Sequence, residues 1–424
     1  MTDFYTRNPS GDLSYDSSTN RYVSVSNPTT TYIVSKISKD AFLVKGSTQI
    51  QPNIVKVDLN NIPFEDNSMV DTFHDLSVYS SRLNSVSNIN QNVTNMRRTF
   101  YGCTNLVNAP AIPNSVTNMS ETFSSCYRLV NAPVIPNSVI SMYYTFWSCL
   151  KLVNAPAIPN SVINMDSTFG GCYNLVNAPT IPNSVTDMRG TFSRCYNLVN
   201  APSIPNSVTT MWSTFSGCFN LVNAPAIPNS VTNMDSTFSV CNRLINAPVI
   251  PNSVTSMRGT FSGCSNLVNA PSIPNSVTIM GHTFSECSNL VNAPSIPNRV
   301  TNMSETFKYC SNLIGDIYIY SNQVSNATNC FYNTSLTKNV YIPFTYGNNI
   351  NTRTYNSFIA AGYDTLGTTD GVYLKNLSIN NTTNVKLQLN VEDYEYTSDN
   401  NDNITLTKYI GTNVDVIAPE LTTQ

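Results

Sequence analysis

Charge is scarce in this chain. Asp, Glu, Lys and Arg make up 11% of its 424 residues, and the formal net charge is −3. A nucleic-acid partner requires a basic face that neutralises phosphates, so none is expected. Long apolar runs are missing too. No stretch of 18 apolar residues occurs, so no membrane-spanning helix and no membrane insertion are expected. Histidine appears twice, as His74 and His282, far apart in sequence. There is no C-x-x-C pair, no H-E-x-x-H, no Gly-rich phosphate loop and no nucleophile motif. Catalysis, a metal and a cofactor are therefore not expected. The opening residues, MTDFYTRNPSGDLSYDSS, contain neither a basic nor an apolar stretch, so no secretory signal is read there. No heptad specifies an oligomer, which leaves a homo-oligomer open.

What is present is Asn, Ser and Thr, and a phrase that returns. VTNMSETFSSCYRLVNAPVIPNS, residues 116–138, is one of ten copies of a 23-residue unit. Cys recurs at Cys103, Cys126, Cys149, Cys172, Cys195, Cys218, Cys241, Cys264, Cys287 and Cys310. Met leads each Cys by seven residues and Phe leads it by three, while Leu follows by three. Fixed apolar columns at a constant period describe a solenoid, in which one turn cannot bury its apolar side but stacked turns can. The double-proline A-P-x-I-P excludes a long helix. The spacing of Met, Phe, Cys and Leu, four then three then three, puts them on one face of a short helical or 3-10 segment. Each turn is therefore expected to hold a short strand around L-V-N-A, a proline-bounded bend and that short helix. At about 4.8 Å per turn, some eleven turns span roughly 50 Å.

The ten Cys read as a core ladder of small, reduced, apolar fillers. Neighbouring Cys in such a column point the same way, which disfavours a disulfide ladder. The Asn column from Asn108 to Asn292 is expected to bond turn backbone. The unit degrades at both ends, as solenoid caps do. SMVDTF, residues 68–73, is a first partial copy with Leu76 in the Cys column. Phe331 carries the Phe column onward, with Cys330 out of register.

One column varies while the scaffold does not. The residue after Met is Arg97, Ser120, Tyr143, Asp166, Arg189, Trp212, Asp235, Arg258, Gly281 or Ser304, and the next positions add Tyr144 and Trp147. Charged residues here place the column outside. Both tryptophans of the chain fall in this region. A candidate recognition stripe is thus Arg97, Tyr143, Tyr144, Trp147, Asp166, Arg189, Trp212, Asp235 and Arg258. Drift at solvent positions is the plainer reading of the same column, and the stripe is its alternative.

The phrase VTNMxxTFxxCxxL, followed by an extended piece ending in I-P, resembles the BspA-like leucine-rich repeats over roughly residues 68–345. ITLTKYIGTNVDVIAPE, residues 404–420, resembles the strand-YxG-strand element that accompanies such repeats. The resemblance implies a fold class: a leucine-rich-repeat-like solenoid with short strands and short helical segments, flanked by small N- and C-terminal β domains. Three parts follow: an N-terminal β domain or attachment cap over 1–66, the capped solenoid over 67–345, and a C-terminal helix plus small β module over 346–424. The runs RYVSVS, TYIVSKI, AFLVKG and NIVKVDL supply the first. In the last, TRTYNSFIAAGY is expected to form a helix with Tyr355, Phe358 and Ile359 on one face, ended by Gly362 and docked on the final turn. GVYLKNL, NVKLQLNV, ITLTKYI and VDVIA are expected to be strands of the module. TSDNNDN lacks the Gly and closing Glu of a calcium loop and reads as a solvated loop.

The resemblance also implies where such chains work, in bacterial surface proteins, lipoproteins and phage structural proteins. The lack of a signal at the start, with a reduced Cys ladder, favours a bacteriophage virion component: a tail, fibre or head-decoration solenoid. Its partners would be other virion proteins and a host cell-surface glycan or protein. The alternative is an exported bacterial cell-surface adhesin. A spacer without a ligand is a third reading, since near-identical turns make length proportional to copy number.

Overall fold

In the computed structural model, the described residues are 64–74, 83–334, 338–343 and 353–363, together with the strands named below. Two compact units divide the chain, residues 1–377 and 378–424. The first holds the solenoid. Its start is an antiparallel meander, β1 (Tyr5–Thr6), β2 (Leu13–Asp16), β3 (Arg21–Ser24) and β4 (Thr31–Tyr32), in that order. β3 and β4 fall in RYVSVS and TYIVSKI, and AFLVKG lies outside the described residues. β5 (Lys56–Asp58), in NIVKVDL, pairs in parallel with β6 (Ser85–Ser87).

The repeat columns form the core. Val, Met, Phe, Cys and Leu of the successive turns are fully buried, from Val93 to Leu313. Twelve Phe rings, from Phe73 to Phe331, stack nearly parallel with centroids 5.3–5.8 Å apart. Cys330 is indeed displaced: it takes the place of the buried Thr, and its carbonyl accepts the Phe307 amide as Thr carbonyls do in earlier turns. Leu76 lies outside the described residues.

The M-x-x-T-F-x-x-C-x-x-L segment is not a helix. Alternate amides divide their bonds. Met96, Arg98, Phe100 and Gly102 donate to carbonyls of the next turn, at Asn118, Ser120, Thr122 and Ser124. Thr99, Tyr101 and Cys103 donate within their own turn, to Met96, Arg98 and Phe100. The second and sixth residues after Met have positive φ in every copy, as in Arg98 at 54° and Gly102 at 73°. Those left-handed residues rotate every second peptide toward the neighbouring turn, which a continuous helix cannot do. Each turn is thereby bonded into the stack and not merely packed on it.

The expected strand at L-V-N-A shrinks to a single parallel bridge at its Asn, running Asn108 to Asn131 and on to Asn292. A second bridge column precedes Met, from Ser68 through Asn95 to Asn326. Proline lacks the N–H that a ladder needs, so the two prolines following Asn stop any extension. The last turn shows this by exception. There N-A-P-x-I-P gives way to G-D-I-Y-I-Y, and a true parallel sheet appears: β7 (Ile317–Tyr318), β8 (Lys338–Ile342) and β9 (Val372–Asn376). β9 is the GVYLKNL run expected in the terminal module, and it instead continues the solenoid's sheet.

Side chains complete the stack. Each repeat Thr is buried, and in eight of the ten copies its hydroxyl reaches two Met carbonyls, as Thr191 does at Met165, 2.9 Å, and Met188, 2.8 Å. The Ser of P-N-S donates to the Val carbonyl one turn back, as Ser207 does to Val185 at 2.6 Å. The Cys are more than apolar filler. All ten repeat thiols reach the Phe carbonyl of the preceding turn, at 3.0–3.2 Å. All eleven Cys are free and buried. Burial pushes the thiols of the inner turns, Cys126 to Cys287, and that of Cys330 up, Cys264 to about 12.

The final turn is closed by α1 (Arg353–Ala360). Thr354 and Phe358 face the stack, Tyr355 is half-buried, and Ile359 is exposed. Ile359 was expected on the docking face; the helix contacts the turn through positions 354 and 358, one helical turn apart, and Ile359 lies beside that line. Thr354 donates to the Ser321 carbonyl at 2.7 Å and accepts the Val324 amide at 3.0 Å. Gly362, at φ 91°, ends the helix, and the Tyr363 amide bonds the Phe358 carbonyl. Tyr363 folds onto Phe331, and its hydroxyl accepts the Phe331 amide at 2.9 Å. That amide would otherwise point at a turn that is not there.

The second unit contributes a hairpin, β10 (Tyr394–Ser398) with β11 (Ile404–Tyr409). β11 is the ITLTKYI run. NVKLQLNV and VDVIA lie outside the described residues, as does most of TSDNNDN.

Candidate functional site

The variable column is turned outward by a local bond. Where Asn or Asp precedes Met, its side chain accepts the amide of the residue after Met, as Asn95 does from Arg97 at 3.0 Å and Asn164 from Asp166 at 2.8 Å; the Ser141 and Thr210 hydroxyls stand 3.4 and 3.5 Å from the Tyr143 and Trp212 amides, and the Arg258 amide reaches Asp235 of the preceding turn. This Asx turn removes that amide from the ladder and presents its side chain at the rim. Exposure is not uniform along the column. Arg97, Tyr143, Trp212 and Arg258 are exposed, and Asp166, Arg189 and Asp235 are half-buried. Ser120 and Gly281 are buried, so the column is not outside throughout. Small residues there let neighbouring turns close over them.

The two ends of the face are closed ionic clusters. At the first, Arg97 and Arg98 lie 3.5 and 3.6 Å from Glu121, and Arg98 also approaches Asp71 at 3.6 Å. Arg98 bonds His74 at 2.8 Å and covers the Tyr101 ring at 4.9 Å. At the far end Glu305 holds Lys308 at 2.8 Å and His282 at 3.4 Å. The bond to Lys308 holds the Glu305 carboxyl below its usual value.

Between them the face is aromatic and mixed in charge. Tyr143 and Tyr144 rings meet at 4.5 Å, and Tyr144 meets Trp147 at 5.0 Å. Trp147 is half-buried rather than exposed, because its ring lies flat over Gly170; a Cβ at 170 would fall 2.2 Å from that ring. Next in the column, Asp166 pairs with Arg189 at 3.2 Å, and Arg189 is clamped by Asp187 at 2.7 Å. Burial pushes the Asp166 carboxyl up, against the pull of the Ser167 hydroxyl and Arg189. The Asp187 bond strengthens the charged form of Arg189. Trp212 follows, 50% exposed, and among the described residues its ring meets no other aromatic. Asp235 then accepts the Ser256 hydroxyl at 2.5 Å and the Arg258 amide at 2.9 Å, which leaves the Arg258 guanidinium directed to solvent. The structure thus joins Tyr143, Tyr144, Trp147, Asp166 and Arg189 in one cluster, continued by Trp212, Asp235 and Arg258. Arg97 belongs to the closed cluster at the first end.

One aromatic feature escaped the sequence reading. Tyr173, Tyr196 and Phe219, each just after a Cys, stack at 4.3 and 4.5 Å beside an Asn174–Asn197–Asn220 amide ladder. Three aromatics at a 23-residue interval were the available signal. Among the described residues, no group of three or more His, Cys, Asp or Glu could hold a metal ion, and no helix is long and apolar enough to cross a membrane.

Several solved structures this chain resembles are leucine-rich repeat proteins of bacteria. A leucine-rich repeat protein from Bacteroides ovatus ATCC 8483 is 19% identical, with 89% of this chain and 99% of that one covered, at a TM-score of 0.51. A leucine rich cell surface protein from Faecalibacterium prausnitzii A2-165 is 21% identical, covering 75% and 95%, at 0.38. A leucine-rich repeat protein from Eubacterium ventriosum ATCC 27560 is 16% identical, covering 82% and 98%, at 0.41. No curated protein matches significantly. The family model for the BspA type leucine rich repeat region matches in six copies over residues 33–153, 142–268 and 235–360. Those segments overlap into one span covering most of the chain, which belongs to the BspA-type leucine-rich-repeat family.

Proposed function

We propose that this chain is a non-catalytic binding protein displayed on a bacterial surface, with the variable face between the two ionic clusters as its contact surface. One observation carries the reading: an unvarying buried scaffold holds one rim column whose residues differ from turn to turn and culminate in exposed Tyr143, Trp212 and Arg258. Scaffold and presentation are separate, as in repeat proteins that bind along an extended surface. Membership of the BspA-type family supports surface display, since the resemblance implies bacterial surface proteins among its hosts. The free thiols do not oppose it. Their survival needs no reducing compartment, because each is buried within the stack. The virion reading differs in where the solenoid is carried and has no structural observation of its own.

Gold-labelled antibody on intact cells of a producing culture tests the display. Label on the cell envelope supports it; label confined to phage particles, or seen only after permeabilisation, overturns it. Beads carrying the full chain, offered to a panel of bacterial and animal cell surfaces, test the face. Adherence that disappears when Tyr143, Trp212 and Arg258 are replaced by Ser locates binding there, and adherence that persists removes it.

A further inference from the structure

We infer that the middle of the variable face, from Tyr143 to Arg258, binds an uncharged carbohydrate chain laid along the axis of the stack. The inference rests on the proposal that this face binds, and names the class of ligand.

The order of residues is the first argument. Six successive turns present Tyr143, Asp166, Arg189, Trp212, Asp235 and Arg258. An aromatic, a carboxylate and a guanidinium are thus offered, and offered again, at a rise of about 4.8 Å per turn. A sugar ring has an apolar C–H face and a rim of hydroxyls. Its face packs on an open aromatic ring, while its hydroxyls both donate and accept. An aromatic followed by one acceptor group and one donor group meets each of these needs. A polymer of repeating units meets them twice, with Tyr143 and Trp212 about 14 Å apart along the stack.

Open aromatic faces are the second argument. Trp212 is exposed on a ring with no aromatic neighbour among the described residues, and Tyr143 is 38% exposed. The Tyr173–Tyr196–Phe219 ladder makes the contrast. Each of its rings already has an aromatic stacked on at least one face, whereas Trp212 has none among the described residues.

Charge and rigidity complete the case. Asp166, Asp187 and Asp235 set against Arg189 and Arg258 leave this face within one charge of neutral. An anionic polymer calls for a surplus of cations, and a basic peptide for a surplus of acids. A protein partner calls for a contiguous apolar centre, which the alternating charges interrupt. Of the polar groups, all but the Arg258 guanidinium are already fixed: Arg189 by Asp166 and Asp187, Asp235 by Ser256 and the Arg258 amide. Little side-chain freedom is lost when a ligand arrives.

The full chain carrying Trp147→Phe keeps Trp212 as its single tryptophan reporter. It is titrated with linear hexasaccharides of glucose, mannose, galactose and N-acetylglucosamine, with heparin and polylysine as charged controls, at low and high salt. The expected result is a saturable change in Trp212 emission with at least one neutral saccharide, unaltered by salt. Calorimetry on Trp212→Ala and on Tyr143→Ala should then show affinity weakened about tenfold or more, with an unchanged melting temperature because both side chains lie at the rim. Binding of heparin or polylysine alone, steeply salt-dependent, overturns the inference. So does neutral-sugar binding that both alanine variants retain. If no saccharide binds while bead adherence still depends on Tyr143, Trp212 and Arg258, the carbohydrate inference falls and the binding face stands. If adherence ignores those residues, both fall.

Discussion

Replacing Tyr363 by Phe removes one oxygen from the far end of the stack. In every inner turn the Phe amide donates to the following turn, and at the last turn the Tyr363 hydroxyl takes that role for Phe331 at 2.9 Å. The residue is 1% exposed, so water cannot replace the oxygen without rearrangement. Phenylalanine keeps the ring, and with it the edge contact to Phe331 at 5.7 Å and the tilted contact to Phe358 at 5.9 Å. What is lost is an acceptor for a buried N–H, a cost of about 1–3 kcal/mol. In a stack where each turn contacts only its neighbours, that loss falls on the last turns first. Native-state hydrogen exchange reads it directly. Protection of the Met303, Phe307 and Phe331 amides should fall about ten- to a hundredfold, while the Phe123 amide, many turns away, keeps its rate. Unchanged exchange at Phe331 would refute the capping argument. A uniform loss along the whole stack would refute its locality.

Three further outcomes are expected. The buried thiols bind protons more tightly folded than unfolded, so their stabilisation is complete below their ordinary value of 9.0 and is lost as pH rises above it, for Cys264 until about 12. Urea midpoints should therefore drop steeply above pH 9, by about 1.4 kcal/mol per pH unit for each thiol ionised in the unfolded chain, and a flat profile would contradict it. Gly170→Ala drives a methyl into the Trp147 ring, so in a Trp212→Phe background the remaining tryptophan emission should shift to the red; an unmoved spectrum means the ring does not lie over residue 170. Val240 holds φ 58°, where Gly102, Gly171, Gly217 and Gly263 stand in sister turns. Val240→Gly should stabilise by about 1 kcal/mol in chemical denaturation, and destabilisation would show that the β-branched residue is not strained there.

The core was legible because it is written ten times. Met, Phe, Cys and Leu at a fixed period can only be an inner column, and the buried ladder from Phe73 to Phe331 follows. The backbone of that segment was not. Spacing of four, three and three fits a helical face as well as a chain of turns. The discriminating signal was glycine at the sixth residue after Met in four copies, and at the second in Gly190 and Gly259, where the φ angles are positive. The L-V-N-A strand was over-read, because the prolines that follow end the ladder after one residue. The thiol bonds to the Phe carbonyls left no trace in spacing, since a small apolar filler would show the same period. Of the rim, the varied column and its aromatics were visible, but not that Trp147 lies down on Gly170 while Trp212 stands free. That difference arises between turns, in a contact of residues 23 apart.

The near-identity of the inner turns has a kinetic cost. Every inner turn presents the same amides on one side, the same carbonyls on the other and the same Phe ring on both. During folding, a turn can therefore be recognised by a copy two removed from its true neighbour as readily as by the right one, with a whole unit looped out and no bond lost at the junction. Only the ends break this degeneracy. The first interval, Phe73 to Phe100, is longer than the others, and the last turn alone carries the Ser321, Val324 and Phe331 groups that Thr354 and Tyr363 satisfy. The caps thus act as index marks. A chain that zips inward from either end stays in frame, and one that nucleates in the middle has no means of counting.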